Sequence, residues 1–289
     1  MKLATFTTAD NPSPRIGVVQ GDTVLDLATA GVTSNMKELI KGGVDVAELS
    51  ATSADAKTLP LADLELQAPV MNPGKVLAIG LNYGDHVEES GMNKPEHQMW
   101  FNKQHNCING PYADINLPAV SDKVDYEAEL CLVIGRRCKH VPRDRAHEVI
   151  AGYFCGNDVS VRDWQMRSPT FQIGKSFDTH GPVGPWLVTP DEVEDPHALD
   201  IKCVVNGEVK QQSNTKHLIF DCFDAIEHLT QAYVLDVGDI LFMGTPGGVG
   251  VAMQPPSFMK AGDVVRVEIE KLGHIENTVI PEHAETIIE

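Results

Sequence analysis

Asp125, Glu127 and Glu129, in the stretch DYEAELCLVIG, are the residues whose type and spacing first suggest chemistry. The stretch reads as a β-strand, and side chains two apart on a strand share a face. Carboxylates crowded on one face repel, and burying them unpaired costs several kcal/mol. A divalent cation removes that cost; the alternative is a solvated edge strand carrying ordinary acids. Two features favour the cation. The acids run straight into the apolar residues LCLVIG, as an internal strand would. After one helix comes AGYFCGNDVSV, which drops Asp158 into an apolar run where strands disfavour aspartate. Glu127, Glu129 and Asp158 make an all-oxygen donor set. Such a set selects Mg2+ or Mn2+, with Ca2+ also admissible, over zinc. Asp125, farthest toward the strand start, is read as solvated or as lying outside the ligand set.

Two further constellations carry reactive groups. In GLNYGDHVEESG, His86 and Glu89 are three apart and share a helix face. A carboxylate beside an imidazole orients it and suits it to act as a general base on water, although a surface ion pair has the same spacing. In VSVRDWQMRSPTFQIGKSFDTHGPVGP, Arg162 and Gln165 could bind a carboxylate or carbonyl, and Lys175 could meet a developing oxyanion. The alternative is that these groups neutralise neighbours such as Asp163 and Asp178. Other motifs fail on spacing. IGKS lacks the upstream glycine of a phosphate-binding loop, having Pro169 there, and MGTPGGVG lacks the dinucleotide-binding spacing. Serine-hydrolase and zinc-protease signatures are absent.

The elements that must position these groups are mostly strands. Apolar runs at VLAIG, ELCLVIG, AGYFCGNDVSV, GPWLVT, GDILFMG and GDVVRVEIE read as strands, and Asn206-Gly207 between two runs signals a type I′ hairpin. Helices are expected at Asp85 to Ser90, Arg143 to Ile150 and Leu218 to Tyr233. Strands do not alternate strictly with helices, so the fold class is α+β and mainly β, not a doubly wound sheet. The first residues look separate. A hairpin turns near Gln20-Gly21-Asp22, a short helix starts at a Ser34 cap, and LQAPVMNPGK reads as a linker. We place a small N-terminal domain at 1–72 and the catalytic domain at 73–289.

Composition limits the partners. The 289 residues include 41 acids against 23 lysines and arginines, a net charge of -18. Such a surface repels nucleic acid and anionic membrane, and an anionic substrate needs a local positive centre. Six cysteines without a CxxC pair read as reduced and buried, and no targeting or membrane-spanning segment is visible, so a cytoplasmic protein is expected.

Taken together, GLNYGDHVEE, DYEAEL, GNDVSVRDWQ, GKSFDTHGPVGP and MGTPGGVG ahead of MKAGD resemble, in order, the motifs of the fumarylacetoacetate hydrolase family from about Lys75 onward. The resemblance implies a β-rich roll of packed sheets behind a small N-terminal α/β domain, and a homodimer. It implies Glu127, Glu129 and Asp158 as ligands of Mg2+ or Mn2+, and His86, Glu89 and Lys175 as catalytic groups. Arg162, Gln165 and Thr245 would contact substrate. Where family members often read NDWSARD, this chain has NDVSVRD, which changes the wall of the site and not the ligands. The resemblance also implies a small anionic keto acid as substrate, and hydrolysis of a C–C bond in a 2,4-dioxo acid to pyruvate and a carboxylic acid. Oxaloacetate decarboxylation and dioxo-acid isomerisation use the same site, and a non-enzymatic metal or metabolite binding module is the alternative from another class.

Overall fold

The computed structural model describes residues 1–91 and 93–288. Strands β1 (Lys2–Thr8), β2 (Asn11–Gln20) and β3 (Thr23–Asp26) form an antiparallel meander that turns at Gly21 as expected. The short helix α1 (Met36–Leu39) is capped by Asn35, one residue after the expected Ser34, because the Asn35 side chain accepts from the Lys37 N–H. Helix α2 (Val46–Thr52), capped by Asp45, was not legible in its polar, alanine-rich sequence. Strands β4 (Lys57–Pro60) and β5 (Leu64–Gln67) follow, so the first residues of the expected linker are strand.

Next come β6 (Val76–Gly80), α3 (Gly84–Ser90), β7 (Met99–Lys103), β8 (Ile108–Asn109), β9 (Ile115–Leu117), β10 (Val124–Asp125) and β11 (Ala128–Ile134). The acidic stretch is therefore two strands with a break at 126–127. Then follow β12 (Ile150–Asn157), β13 (Ser160–Val161), α4 (Arg162–Gln165), β14 (Gly181–Val188) and α5 (Pro190–Val193). The chain closes with β15 (Asp200–Val205), β16 (Glu208–Asn214), α6 (Cys222–Ala232), β17 (Ile240–Phe242), β18 (Val264–Ile269) and β19 (Gly273–Pro281). Asn206 and Gly207 both take positive φ, 51° and 81°, as the type I′ turn between β15 and β16 requires. Residues 143–149 form a 3-10 helix where a longer helical run was expected. Helix α6 starts later than expected, leaving Ile219 outside it. Asp221 stops it there by accepting from the Phe223 and Asp224 N–H groups in a capping box.

The central sheet runs β4-β3-β2-β1-β14-β12-β11-β17-β6-β7, and a second sheet runs β16-β15-β18-β19-β9. The architecture is the α+β, mainly β fold expected. Strand β1 pairs with β14 through Lys2↔Val188 and Leu3↔Leu187, so the first segment extends the same central sheet. Strand β11 lies between β12 and β17 and is buried on both faces. Leu130, Leu132 and Ile134 pack into the core toward the second sheet and α6, whereas Cys131 and Val133 pack into the core beneath the N-terminal elements. Two-sided burial explains a continuous apolar run without polar alternation. No helix among the described residues is long and apolar enough to cross a membrane.

The register of β11 on β12 places Glu129 opposite Gly156 and Ala128 opposite Asn157. A Cβ at Gly156 would lie 2.4 Å from the Cys131 sulfur and 2.8 Å from the Phe242 ring. Gly156→Ala is accordingly expected to destabilise the protein by about 1–3 kcal/mol through overpacking. The measurement is the urea unfolding midpoint at unchanged slope; an unaltered midpoint would contradict the packing described.

Candidate active site

The β11–β12 ladder builds the site. Its last rungs bring Glu127 and Glu129, before and at the start of β11, beside Asp158, just past the end of β12. The Asp158 N–H donates to the Glu127 carbonyl (2.9 Å), and the Glu127 N–H donates to the Asn157 side chain (3.0 Å). One carboxylate oxygen from each of Glu127, Glu129 and Asp158 lies within 4.8 Å of the others, and all three residues are buried. The acids are thus internal, and the solvated-edge alternative falls. Three convergent buried carboxylates are the hard, all-oxygen donor set that a divalent cation fits.

Cations of the protein interleave with these acids. Lys175 Nζ donates to Glu127 (2.6 Å) and Asp158 (2.8 Å). Arg162 donates from Nη1 to Glu127 (2.7 Å) and to the Gln165 side-chain oxygen (3.0 Å), and from Nε to Asp125 (2.8 Å). Burial alone would raise the Glu127 carboxyl, but Lys175 and Arg162 more than offset it and hold it well below the usual range. Glu129 moves the other way. Burial and the charges of Asp158 and Glu127 push it well above the usual range, against the Gly244 N–H that donates to it (2.6 Å). Arg162 and Lys175 do neutralise acids, but the acids are those of the site and not Asp163 or Asp178.

Asp125 is fully buried, which corrects its reading as solvated. Besides Arg162, it accepts from the Gly250 (2.8 Å) and Val251 (2.9 Å) N–H groups. It lies outside the acidic triad and fixes the guanidinium that clamps Glu127. The glycine-rich MGTPGGVG stretch has a related task. Its backbone N–H groups point at the protein's own carboxylates: Gly244 at Glu129, Gly248 at Glu89, and Gly250 at Asp125. Gly244 and Gly248 take φ of 90° and 102°, which other residues rarely adopt.

His86 and Glu89 lie on α3, with His86 Nδ1 3.4 Å from the Glu89 carboxylate. Glu89 accepts the Gly248 N–H through both oxygens (3.0 and 2.9 Å). Burial pulls its carboxyl upward, but the His86 ring and the Gly248 N–H leave it below the usual range. Thr245 is buried, and its hydroxyl oxygen accepts from Gln211 Nε2 (2.8 Å), which leaves the O–H to donate. His86, Glu89, Glu127, Glu129, Arg162, Gln165, Lys175 and Thr245 line one cavity of about 500 Å3, with Asp158 and Asp125 packed behind its wall against Lys175 and Arg162, so the structure brings together the acids, the imidazole and the polar groups singled out in sequence. A larger cavity of about 830 Å3 behind residues 172–178 is lined by none of them.

Two residues escaped sequence reasoning. Lys103 Nζ is fully enclosed and donates to Asp158 Oδ1 (2.6 Å), to the Lys175 carbonyl and to the His180 carbonyl (3.1 Å). All three of its N–H groups are satisfied, and it ties an acid of the triad to the backbone that carries Lys175. Gln211 on β16 accepts the Ala128 N–H and donates to Thr245 and the Pro246 carbonyl, pinning the strand that bears Glu129 to the glycine-rich stretch. The only sequence signal available for Lys103 was a lone basic residue in a weakly apolar strand, and for Gln211 there was none.

Two bulky residues of the cavity wall, Leu81 and Phe171, adopt left-handed φ of 52° and 59°. Each such conformation costs about 1–2 kcal/mol relative to the relaxed backbone. The Phe171 ring stands edge-on to Phe101, centroids 6.1 Å apart at 81°.

The sequence profile of the fumarylacetoacetate hydrolase C-terminal domain matches residues 75–280. The chain belongs to the fumarylacetoacetate hydrolase family. It is 41% identical over 288 residues to the mitochondrial oxaloacetate tautomerase fahd2 of Xenopus laevis, covering 97% of this chain and 90% of that protein. Among solved structures it resembles the maleylpyruvate hydrolase of Sphingobium sp. SYK-6 in complex with manganese(II) and pyruvate. There the TM-score is 0.81 at 32% identity, over 97% of this chain and 99% of that one. It also resembles the 5-carboxymethyl-2-hydroxymuconate delta-isomerase of Mycobacterium smegmatis, with TM-score 0.80 at 34% identity, over 98% of this chain and all of that one. The fumarylacetoacetate hydrolase family thus spans hydrolases, isomerases and tautomerases, and the scaffold alone does not select among them.

Lys103→Met would leave Asp158 facing Lys175 alone and two buried carbonyls without donors. A loss of about 3–5 kcal/mol is expected, as for other broken buried pairs. The check is denaturant unfolding of the variant beside Lys103→Arg, with partial recovery expected from the retained charge. Stability equal to the parent in both variants would contradict the role described.

Proposed function

We propose that this protein is a divalent-metal-dependent hydrolase that cleaves the C–C bond of a 2,4-dioxo acid, giving pyruvate and a carboxylic acid. The observation that carries this reading is a single cavity lined by Glu127 and Glu129 of the carboxylate triad and by an imidazole–carboxylate pair. The first alone suits enolisation of a 2-oxo acid; the second suits activation of water.

Mg2+ or Mn2+ is the proposed ion, with Glu127, Glu129 and Asp158 as its ligands. When bound, it supplies Lewis-acid stabilisation of negative charge on the oxygens of the 2-oxo acid. The four buried carboxylates of the site, Asp125 included, face three buried cations, Lys103, Arg162 and Lys175. A dication turns that balance positive, which draws an anionic substrate toward a chain whose net charge is -18.

The chain's own groups divide the remaining work. Arg162 and the Thr245 hydroxyl hold the substrate carboxylate. With Nδ1 of His86 facing the Glu89 carboxylate, the ring proton belongs on Nδ1, leaving Nε2 free to take a proton from water. The resulting hydroxide adds to the distal carbonyl, and Lys175 and Gln165 donate to the oxyanion that forms. The bond between C3 and C4 then breaks. Its electron pair leaves with the pyruvate half as the enolate, which takes a proton at C3, and the other half departs as a carboxylic acid.

A second reading is tautomerisation of oxaloacetate, favoured by the 41% identity to the Xenopus laevis tautomerase. It needs proton transfer at C3 but no attacking water. Oxaloacetate decarboxylation likewise dispenses with that water. A homodimer and a cytoplasmic location are the assembly and compartment we propose. The six unpaired cysteines fit a reducing compartment, and the Xenopus laevis relative is mitochondrial.

The test is pyruvate release from acetylpyruvate with Mn2+, beside enol–keto interconversion and carbon dioxide release from oxaloacetate. The hydrolase reading expects acetylpyruvate turnover that falls about 10²–10⁴-fold in His86→Ala and in Glu89→Ala. Inert acetylpyruvate together with rapid oxaloacetate conversion would sink the hydrolase reading in favour of the second.

A further inference from the structure

Gln211 differs from the strand that carries it. The other residues of β16 are exposed or half-buried, and Gln211 alone is enclosed. Strand β16 is an edge of the second sheet and lies against the glycine-rich stretch, where a Cβ at Gly248 would sit 2.1 Å from the Lys210 carbonyl oxygen. The Gln211 amide reaches Thr245 of the cavity wall but does not itself line the cavity.

Two buried backbone groups dictate which way that amide faces. Its Oε1 accepts the Ala128 N–H (2.9 Å), and its Nε2 donates to the Pro246 carbonyl (2.8 Å). The reverse orientation would set donor against donor at Ala128 and acceptor against acceptor at Pro246, leaving both backbone groups unpaired. The second Nε2 proton is thereby committed to Thr245 Oγ1 (2.8 Å).

That commitment fixes the polarity of the hydroxyl. A threonine hydroxyl has one proton, and Thr245 cannot give it to a group that is donating to it. Among the described residues no acceptor takes that proton. Thr245 shares the cavity wall with Glu127, Glu129 and Arg162, so the O–H is available to a ligand there.

We infer that Gln211 is a positioning residue for 2-oxo-acid binding: its locked amide makes Thr245 a donor, so that a ligand carboxylate meets a proton and not a lone pair. This rests on the reading of Thr245 as a contact of the substrate carboxylate, and adds the residue that sets its polarity. An unconstrained hydroxyl also presents its lone pairs, which repel an anion. The same amide holds Ala128, next to Glu129, so one side chain ties the anion donor to the strand that bears the acids.

The experiment measures the Kd of pyruvate for the Mn2+-loaded protein by calorimetry, in the parent, Thr245→Val, Gln211→Glu and the double variant. Glutamate keeps the acceptor for Ala128 but offers an oxygen to Thr245, which draws its proton away from the ligand. Thr245→Val and Gln211→Glu are each expected to weaken pyruvate about tenfold, the worth of a hydrogen bond to a charged group. Because Gln211 acts through the hydroxyl, the double variant is expected to bind within about threefold of Thr245→Val. A merely structural glutamine would instead multiply the two losses.

Thermal melting verifies folding. Where Gln211→Glu does not fold, Gln211→Met replaces it, with a loss of about threefold expected alone and none beside Thr245→Val. Unchanged affinity in a folded Gln211→Glu, or multiplied losses in the double variant, would overturn the inference. So would Thr245→Val with parental affinity, since Gln211 would then have nothing to position, or a parent that binds no pyruvate. Inert acetylpyruvate would end the hydrolase reading alone and leave these affinities to decide the role of Gln211.

Discussion

Carboxylates packed together out of water are the constraint around which this protein is arranged. Asp125, Glu127, Glu129 and Asp158 are all buried, and each needs either a positive charge or a set of donors. The chain answers from several directions. Lys103 comes from β7, Arg162 and Lys175 from the segment after β13, and backbone N–H groups from the glycine-rich stretch after β17. Three cations against four acids leave a deficit that falls on Glu129, whose proton is held more tightly than usual because burial and its acidic neighbours disfavour the charged form. A dication suits that deficit.

The sheet supplies the rigidity this arrangement needs. Acids placed on a ladder between two internal strands cannot drift apart without breaking backbone hydrogen bonds, so their mutual repulsion is held in a fixed geometry. The imidazole pair is placed separately, on a short helix docked to the glycine-rich stretch through Glu89. The N-terminal meander joins the central sheet at the far side of β14, and no residue singled out for chemistry lies in it.

What could be read from the sequence followed from locality. Glu127 and Glu129 stood out because they share a strand face and lead straight into an apolar run, and Asp158 because it interrupts one; the burial of β11 on both faces is the same fact seen in three dimensions. The Asn206-Gly207 hairpin was legible because its turn chemistry lies within two residues. Asp125 lies outside the ligand set, as one of its two readings had it, but its burial was not legible because its partners, Arg162 and the Gly250 and Val251 N–H groups, lie 37 to 126 positions away. Lys103 and Gln211 were missed for the same reason: neither carries a local pattern, and each acquires its role through contacts with distant strands. Helix α6 begins at Cys222 instead of Leu218, and the cap of α1 falls one residue late, because a side-chain cap, not the hydrophobic period, decides where a helix begins.

Calorimetric titration of Mn2+ into the purified protein tests the central electrostatic claim most directly, with the Glu127→Ala, Glu129→Ala double variant as its counterpart. The account predicts one ion per chain for the parent and loss of that binding in the double variant, with circular dichroism showing both folded. Mn2+ bound at the same stoichiometry and affinity by the folded double variant would contradict it.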